Sequence, residues 1–179
     1  MSAEIIAALH AIVGDAGLKT GDTDTESFLT DWHGQYRGRS LAVVMPETTE
    51  QVSQVMALAN ARDIVVVPQG GNTGFMGGAT PDDAGNSILL SLRRMNRIRE
   101  IDATNMSMTV EAGCVLQTLH DTTEKQGLYF PLNLAAKGSC TIGGNLGTNA
   151  GGLNVVRYGT TRELTLGVEV VLMGGRVLN

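Results

Sequence analysis

Two uncharged, glycine-rich segments contain the residues of this 179-residue chain that could bind a ligand. The first, residues 68–78, reads Pro-Gln-Gly-Gly-Asn-Thr-Gly-Phe-Met-Gly-Gly and contains no lysine or arginine. Glycine lets the backbone take positive φ and lets a ligand approach the main chain closely. Successive N–H groups in such a loop can converge on an anion. Because no cation accompanies these glycines, the segment predicts a diphosphate held mainly by backbone amides.

Two common phosphate-binding motifs do not fit this spacing. A P-loop requires a lysine after its last glycine, and no lysine follows any of these glycines. A dinucleotide-binding fingerprint requires Gly-x-Gly-x-x-Gly at the start of a helix. Here Gly71, Gly74 and Gly77 are three residues apart, and Pro81-Asp82-Asp83 follows where the helix would begin. Taken alone, the segment is equally compatible with a long surface turn.

The second segment, residues 138–152, favours a binding site. It reads Gly-Ser-Cys-Thr-Ile-Gly-Gly-Asn-Leu-Gly-Thr-Asn-Ala-Gly-Gly and carries no charge after Lys137. A flexible linker would be a Gly/Ser repeat, whereas this segment contains Ile142 and Leu146, which need burial. Two such loops far apart in the sequence predict two walls of one site for a long, polyhydroxylated, diphosphate-bearing ligand.

Composition limits the class of protein. With 42% apolar and 17% charged residues, the chain fits one globular domain, or one domain built from two subdomains. A net charge of −5 argues against a nucleic-acid partner. Cys114 and Cys140 have neither disulfide-framework nor zinc spacing and are expected to be buried thiols in a reducing compartment. The sequence shows no signal-peptide pattern and no apolar run long enough to span a bilayer, so we expect a cytoplasmic protein.

Apolar spacing and capping residues predict the elements that position the two segments. Thr48 and Gln51 form a capping-box pattern before a helix. With its flanking strands this helix predicts a β-α-β unit over residues 41–67, a parallel pair with a right-handed crossover. The predicted helices are residues 2–13, 48–62 and 115–126; the predicted strands are residues 41–45, 64–67 (buried), 87–92, 98–101, 106–111, 164–173 and 176–178; residues 20–30 are irregular and Gly174-Gly175 is a hairpin turn.

Three further stretches allow an interpretation. Residues 31–39 carry the only tryptophan and form either a packing corner, which we favour, or a substrate-facing lid. The four arginines at residues 93–99 are interpreted mainly as a solvated face, because acidic residues flank them at Glu100 and Asp102. The sequence stops inside the hairpin that follows residue 173, which suggests a fragment of a longer protein.

Several motifs in a fixed order resemble a known family. They are the two glycine-rich segments, Tyr36-Arg37-Gly38, Glu-Ala-Gly-Cys-Val-Leu at residues 111–116 and Arg-Tyr-Gly at residues 157–159. Together they resemble the FAD-binding domain of the para-cresol methylhydroxylase and vanillyl-alcohol oxidase type. Over residues 31–179 the chain is similar to FAD-linked D-2-hydroxy-acid dehydrogenases: D-2-hydroxyglutarate dehydrogenase, the glycolate oxidase large subunit and the flavin D-lactate dehydrogenases.

The resemblance implies a two-lobed α+β fold with FAD in the crevice between the lobes. It divides the chain into an N-terminal lead-in (1–30), a first lobe (31–83) and an incomplete second lobe (84–179), with the C-terminal substrate domain absent. FAD is expected to be noncovalent, because the first segment has no histidine for a flavin linkage. The implied cofactor-binding residues are Pro68, Gln69, Gly70, Gly71, Asn72, Thr73, Gly74, Gly78, Pro131, Asn133, Ser139, Cys140, Thr141, Gly143, Gly144, Asn145, Thr148, Asn149, Gly151 and Gly152.

The implied activity is oxidation of a D-2-hydroxy acid (2-hydroxyglutarate, lactate or glycolate) to the 2-oxo acid. Hydride would pass to FAD, and electrons would pass on to a quinone, a cytochrome or an electron-transfer flavoprotein. The full-length protein could be a homodimer. No catalytic or metal residue is assigned in this chain; His10, His33 and His120 do not match the family's catalytic histidine, and His33 is the one to test. The alternatives are a reductase of the UDP-N-acetylenolpyruvoylglucosamine type and a cofactor-binding fragment without turnover.

Overall fold

The computed structural model describes residues 2–179 and has the mixed α+β composition that the sequence predicts. Helices and short strands alternate in the first half, and two separate hairpins follow. The elements are α1 Ser2–Gly17, β1 Leu18–Lys19, α2 Asp22–Leu29, β2 Ala42–Val44, α3 Thr49–Ala61, β3 Val66–Gln69, β4 Ile88–Ser91, β5 Ile98–Asp102, β6 Ser107–Val110, α4 Leu116–Glu124, α5 Ile142–Gly147, α6 Val155–Tyr158, β7 Val170–Val171 and β8 Val177–Leu178.

A four-stranded sheet with the order β1-β2-β4-β3 forms the first half of the structure. β2 and β3 both run parallel to β4, and β1 pairs antiparallel with β2. The predicted β-α-β unit therefore has parallel strands, but they are not neighbours, because the fully buried β4 lies between them. The prediction of a buried strand at residues 64–67 is wrong for most of that run. β3 is an edge strand, and Val65 just before it is 58% exposed.

Helices cover both faces of this sheet. Successive side chains of a strand point to opposite faces, so Val44 packs with Leu9 and Val55 from α1 and α3, while Val43 packs with Phe28 from α2. The irregular segment predicted at residues 20–30 is instead helix α2. Burial of Phe28 on the sheet stabilises this short polar helix, and the local sequence gives no such periodicity.

The predicted helix ends follow from local chemistry. Thr48 caps α3 by accepting a hydrogen bond from the Gln51 N–H at 3.2 Å. The Gln51 side chain closes the cap on the Glu47 N–H at 2.7 Å. Gly14 interrupts α1 with a φ of +68° directly after the predicted helix 2–13, but α1 continues beyond it to Gly17. Gly127 follows α4 with a φ of +70°, which is typical of a glycine after a helix end.

The second half supports the other wall of the site. The strands predicted at residues 98–101 and 106–111 are present as β5 and β6, which pair antiparallel. Leu116, Leu132 and Cys140 form a separate core that joins α4 to the second glycine-rich segment. The predicted strand at residues 164–173 is shorter than expected, with only β7 paired to β8. Gly174 and Gly175 turn this hairpin with φ near +85°, as predicted.

The lobe boundary expected at Asp83 stays a prediction. β4 follows that boundary in the sequence, yet it lies between β2 and β3 in the first sheet. The pairing of β4 favours a division after Ser91 over one at Asp83.

Candidate functional site

The two glycine-rich segments are in direct contact. A methyl group on Gly71 would lie 2.1 Å from the Ser139 carbonyl oxygen, and one on Gly70 would lie 2.5 Å from Thr141 Oγ1. Only residues without a Cβ let these two backbones approach so closely. The segments therefore form one structure, as the prediction of two walls of one site requires.

A cleft of about 720 Å³ opens beside this contact. Its volume lies within the range of small-molecule and cofactor pockets. It is lined by Trp32, Gly71, Asn72, Thr73, Phe75, Arg93, Asn96, Gly113, Val115, Ala135, Ala136, Gly138, Ser139 and Thr141.

The predicted cofactor-binding residues fall into two groups. Gly71, Asn72, Thr73, Ser139 and Thr141 line the cleft. The others do not line it, and their assignment to a cofactor stays a prediction: Pro68, Gln69, Gly70, Gly74, Gly78, Pro131, Asn133, Cys140, Gly143, Gly144, Asn145, Thr148, Asn149, Gly151 and Gly152.

Three of the residues outside the lining, Gln69, Cys140 and Asn145, are buried and support the conformation of the loops. The buried Gln69 side chain donates to the carbonyl oxygens of Phe28 and Ala79, both at 2.9 Å, and so fixes the base of the first loop. Asn145 is also buried and donates to Cys140 Sγ at 3.5 Å. Burial raises the pKa of the Cys140 thiol, which therefore stays protonated and packs as an apolar group.

The first loop presents a run of free backbone donors. Within the part of the chain that the structure describes, no N–H group of residues 70–76 donates a hydrogen bond. Asn72 takes a φ of +54°, and its side chain donates to the Thr30 carbonyl at 2.8 Å, which holds this conformation. Water can accept from the exposed N–H groups of residues 74–76, whereas the N–H groups of the half-buried Gly71, Asn72 and Thr73, which line the cleft, are free to donate to an anion bound there.

A buried hydroxyl faces the same place from the second loop. Thr141 is 2% exposed, and its Oγ1 has no hydrogen-bond partner among residues 2–179. An unpaired buried hydroxyl costs about 1–3 kcal/mol. Thr141 lines the cleft, and an acceptor that reaches this buried hydroxyl from the cleft would remove the cost.

Arg93 is a site residue that the sequence reasoning missed. Its Nε donates to the Gly70 carbonyl at 3.3 Å and its Nη2 to the Gly71 carbonyl at 3.2 Å. Because β3 and β4 are parallel neighbours, the residues that follow them meet at one edge of the sheet, which brings Arg93 to the loop. No local signal in the sequence indicates this pairing, and the prediction placed β3 beside β2.

The interpretation of the arginine cluster as a solvated face agrees with the exposure of Arg97 and Arg99, whose side chains are 69% and 41% exposed, but these arginines also have specific partners. Arg94 donates to the Met45 carbonyl at 2.9 Å and pairs with Glu47. Arg97 pairs with Glu111 at 2.8 Å, and Arg99 approaches Glu111 at 3.5 Å. Each guanidinium is therefore held by protein acceptors.

Glu111 has a fully buried side chain beside the cleft wall. Burial alone would raise the pKa of Glu111, but hydrogen bonds from Arg97 and the charges of Arg97 and Arg99 outweigh it and hold the pKa below its ordinary value. The residue is followed by Ala112 and Gly113, and the Ala112 carbonyl accepts the Gly143 N–H at 2.8 Å. The ionised Glu111 carboxylate thus anchors the turn at residues 111–113, which contacts the second glycine-rich segment through Ala112 and lines the cleft through Gly113.

An aromatic rim stands at the mouth of the cleft. Trp32 is 65% exposed and Phe75 is 61% exposed, and both line the cavity. The His33 ring stacks near Phe75 with a centroid distance of 4.8 Å. The preferred interpretation of residues 31–39 as a packing corner is therefore wrong for Trp32, although Asp31 is buried and accepts the Tyr36 N–H at 2.7 Å. His120 is structural, with Nε2 at 2.7 Å from the Leu132 carbonyl.

Comparison with known proteins gives a consistent picture. The family model of the FAD binding domain matches residues 40–179. A probable mitochondrial D-2-hydroxyglutarate dehydrogenase of Oryza sativa subsp. indica is 41% identical over 179 residues, which is 100% of this chain and 32% of the relative. The D-2-hydroxyglutarate dehydrogenase of Xanthomonas citri pv. viticola is 42% identical over 173 residues, which is 97% of this chain and 36% of the relative.

The fold is shared with solved structures. The crystal structure of p-cresol methylhydroxylase with substrate bound superposes with a TM-score of 0.84 and 24% identity, over 98% of this chain and 34% of that one. This chain thus spans about a third of the length of the curated relatives it matches. No helix within residues 2–179 is long and apolar enough to cross a membrane.

Proposed function

Because this chain belongs to the FAD-binding domain family, we propose that it holds the FAD of a flavoprotein oxidoreductase between its two glycine-rich loops. The observation that carries the proposal is the similarity to D-2-hydroxyglutarate dehydrogenases along the whole chain. From it we infer that the whole protein oxidises a D-2-hydroxy acid to the 2-oxo acid.

The residues of the cleft fit FAD. The unpaired N–H groups of residues 70–76 and the unpaired Thr141 hydroxyl supply donors for a diphosphate, and Arg93 adds a positive charge to the lining. Trp32 and Phe75 offer aromatic surface at the mouth for a flat ring. The wider set of cofactor-binding residues predicted from the sequence belongs to this proposal.

The mechanism divides between the cofactor and the protein. FAD supplies the hydride acceptor when it is bound. The loops orient the cofactor, and the packed contact between Gly71 and Ser139 closes the floor of the cleft. We propose noncovalent attachment, because residues 68–78 contain no histidine.

The chain alone is proposed to bind FAD without turnover. Oxidation of a hydroxy acid needs a base that takes the hydroxyl proton. In the described lining of the cleft, Arg93 is the one ionisable side chain, and a guanidinium cannot accept a proton near neutral pH. The base must therefore come from residues outside this cleft lining.

Substrate, acceptor and setting belong to the whole protein. D-2-Hydroxyglutarate is the leading substrate, because both relatives described above carry that name. D-Lactate and glycolate follow from the family resemblance, as do a quinone, a cytochrome or an electron-transfer flavoprotein as acceptor, and a homodimer. A cytoplasmic location stays a prediction, since the relative from Oryza sativa is named mitochondrial.

The test is the visible spectrum of the whole flavoprotein without oxygen. D-2-Hydroxyglutarate, D-lactate and glycolate are added separately, with L-2-hydroxyglutarate as the stereochemical control. Bleaching of the flavin band by one D-hydroxy acid supports the proposal and identifies the substrate. A flavin band bleached by NADPH alone would contradict it and favour the UDP-N-acetylenolpyruvoylglucosamine type of reductase.

A further inference from the structure

We propose that Arg93 is a positioning residue, which fixes the direction of two backbone N–H groups in the first loop. The inference rests on the proposed function, in which this loop binds the diphosphate of FAD. Its basis is the pair of hydrogen bonds from one guanidinium to two successive carbonyl groups, Gly70 at 3.3 Å and Gly71 at 3.2 Å.

Because the peptide group is planar, these two hydrogen bonds also fix the direction of the N–H groups that follow the two carbonyls. In a planar trans peptide the C=O and the following N–H point in opposite directions. When Arg93 holds the Gly70 and Gly71 carbonyls, the N–H groups of Gly71 and Asn72 both point away from the guanidinium. Neither N–H donates to another described residue, and both residues line the cleft. Two parallel free donors suit the oxygens of one phosphate group.

The peptide groups that follow Gly70 and Gly71 need the hydrogen bonds from Arg93, because glycine restricts its own backbone angles less than other residues do. Side chains pin the loop on either side: Gln69 binds the Phe28 and Ala79 carbonyls, and Asn72 binds the Thr30 carbonyl. Between them, Gly70 and Gly71 have no side chain of their own. The hydrogen bonds from Arg93 to their carbonyls supply the missing constraint. A cationic donor on a carbonyl also polarises the amide and strengthens its N–H as a donor.

Arg93 is itself held in place. Its guanidinium lies 5.4 Å from the centroid of the Phe28 ring, a favourable cation–π distance. Phe28 is buried in the core between α2 and the sheet. A lysine at this position would keep the charge, but its ammonium group lacks the planar fork that reaches two carbonyls at once.

Arg93 lines the cleft, so a direct contact between its charge and the diphosphate is the competing account. The two accounts differ in what lysine preserves. A direct charge contact survives in Arg93→Lys and is screened by salt. Orientation of the peptide planes is lost in both Arg93→Lys and Arg93→Gln, and it adds no salt dependence.

The experiment measures the Kd for FAD of this chain by quenching of Trp32 fluorescence at several salt concentrations. Trp32 is the only tryptophan and stands at the mouth of the cleft. We expect Arg93→Lys and Arg93→Gln to raise the Kd by a similar factor, about tenfold or more. Arg93→Lys, which keeps the charge, should also keep the wild-type slope against salt. Arg62→Gln, which removes a charge paired with Glu4 outside the cleft lining, should leave the Kd unchanged.

Each other outcome overturns a defined statement. A wild-type Kd in Arg93→Lys, with a weaker Kd and a shallower salt slope in Arg93→Gln, would overturn positioning in favour of direct contact. Wild-type affinity in both variants would overturn any role. A wild-type chain that does not bind FAD would overturn the proposed function itself. Amide ¹⁵N–¹H spectra without FAD provide a second measurement: signals of Gly71 and Asn72 should shift or broaden in both Arg93 variants and stay in place in Arg62→Gln.

Discussion

Replacing Gly71 by alanine tests the contact on which the whole site depends. The new methyl group would lie 2.1 Å from the Ser139 carbonyl oxygen and 2.8 Å from Cys140 Cα, and both distances are shorter than the 3.4 Å at which ordinary contact begins. Both neighbours are backbone atoms, so no side chain can rotate away. The sequence alone suggested that a side chain here would block the diphosphate, whereas the structure shows that it first meets the other loop.

The cost can be estimated from this overlap. Extra atoms in a packed region lower the free energy of unfolding by about 1–3 kcal/mol. For a domain of this size that corresponds to a fall in Tm of about 2–12 °C. Separation of the loops also misplaces the donors on both, and we expect the Kd for FAD to rise about tenfold or more.

The assay combines thermal unfolding of the FAD-free chain with FAD titration by Trp32 fluorescence. Gly167→Ala is the matched control, because a methyl group there meets nothing within 4 Å and the residue lies outside the cleft lining. Gly74→Ala is the informative comparison. A methyl group there also has open space, so the Tm of the FAD-free chain should not fall, and any loss of affinity would come from a clash between the methyl group and FAD. An unchanged Tm and an unchanged Kd in Gly71→Ala would refute the loop contact.

Three further predictions follow from single features. Thr141→Val removes a buried hydroxyl that lacks a partner, so the FAD-free chain should be as stable as wild type or more stable while the Kd for FAD rises; a lower Tm with an unchanged Kd would contradict this. Because the pKa of Glu111 is lowered on folding, its ion pairs stabilise the fold fully above the pKa of the unfolded chain, and this stabilisation is lost as the pH falls through the folded pKa. Glu111→Gln should therefore lower the Tm at pH 7 and flatten its decline in acid; a parallel acid decline would show that other groups control it. Acid precipitation of the flavin-loaded chain should release all yellow colour to the supernatant, and colour in the pellet would refute noncovalent attachment.

The sequence predicted those parts of the site and fold in which the residue type itself favours one local structure. The glycines at residues 70 and 71 indicated that another group approaches the backbone closely. In the structure the Ser139 carbonyl approaches Gly71 and the Thr141 side chain approaches Gly70. The Thr48 cap and the hairpin turn at Gly174 and Gly175 were likewise readable, because their interactions are between near neighbours.

What the sequence missed depends on pairing between distant segments. Helix α2 is stabilised by packing of Phe28 on the sheet, and its two apolar residues, Phe28 and Leu29, are adjacent and so give no helical periodicity. Arg93 reaches Gly70 because β4 pairs with β3, and no local pattern states that β4 enters between β2 and β3. Trp32 was expected in a core by its type, but it borders a cleft that only the assembled loops create.

Two different physical reasons explain the glycines of the first loop. At Gly70 and Gly71 a side chain would collide with the second segment, so these residues are needed whether or not a ligand is bound. At Gly74 and Gly78 a side chain would enter open space, and neither residue has a positive φ. At a position whose backbone alanine can also adopt, glycine lowers the stability of the fold by about 0.4–1 kcal/mol relative to alanine, because it leaves the unfolded chain more freedom. Close approach of the cofactor to the backbone would explain glycine at Gly74 and Gly78. Comparison of Gly71→Ala with Gly74→Ala separates this explanation from the contact between the two loops.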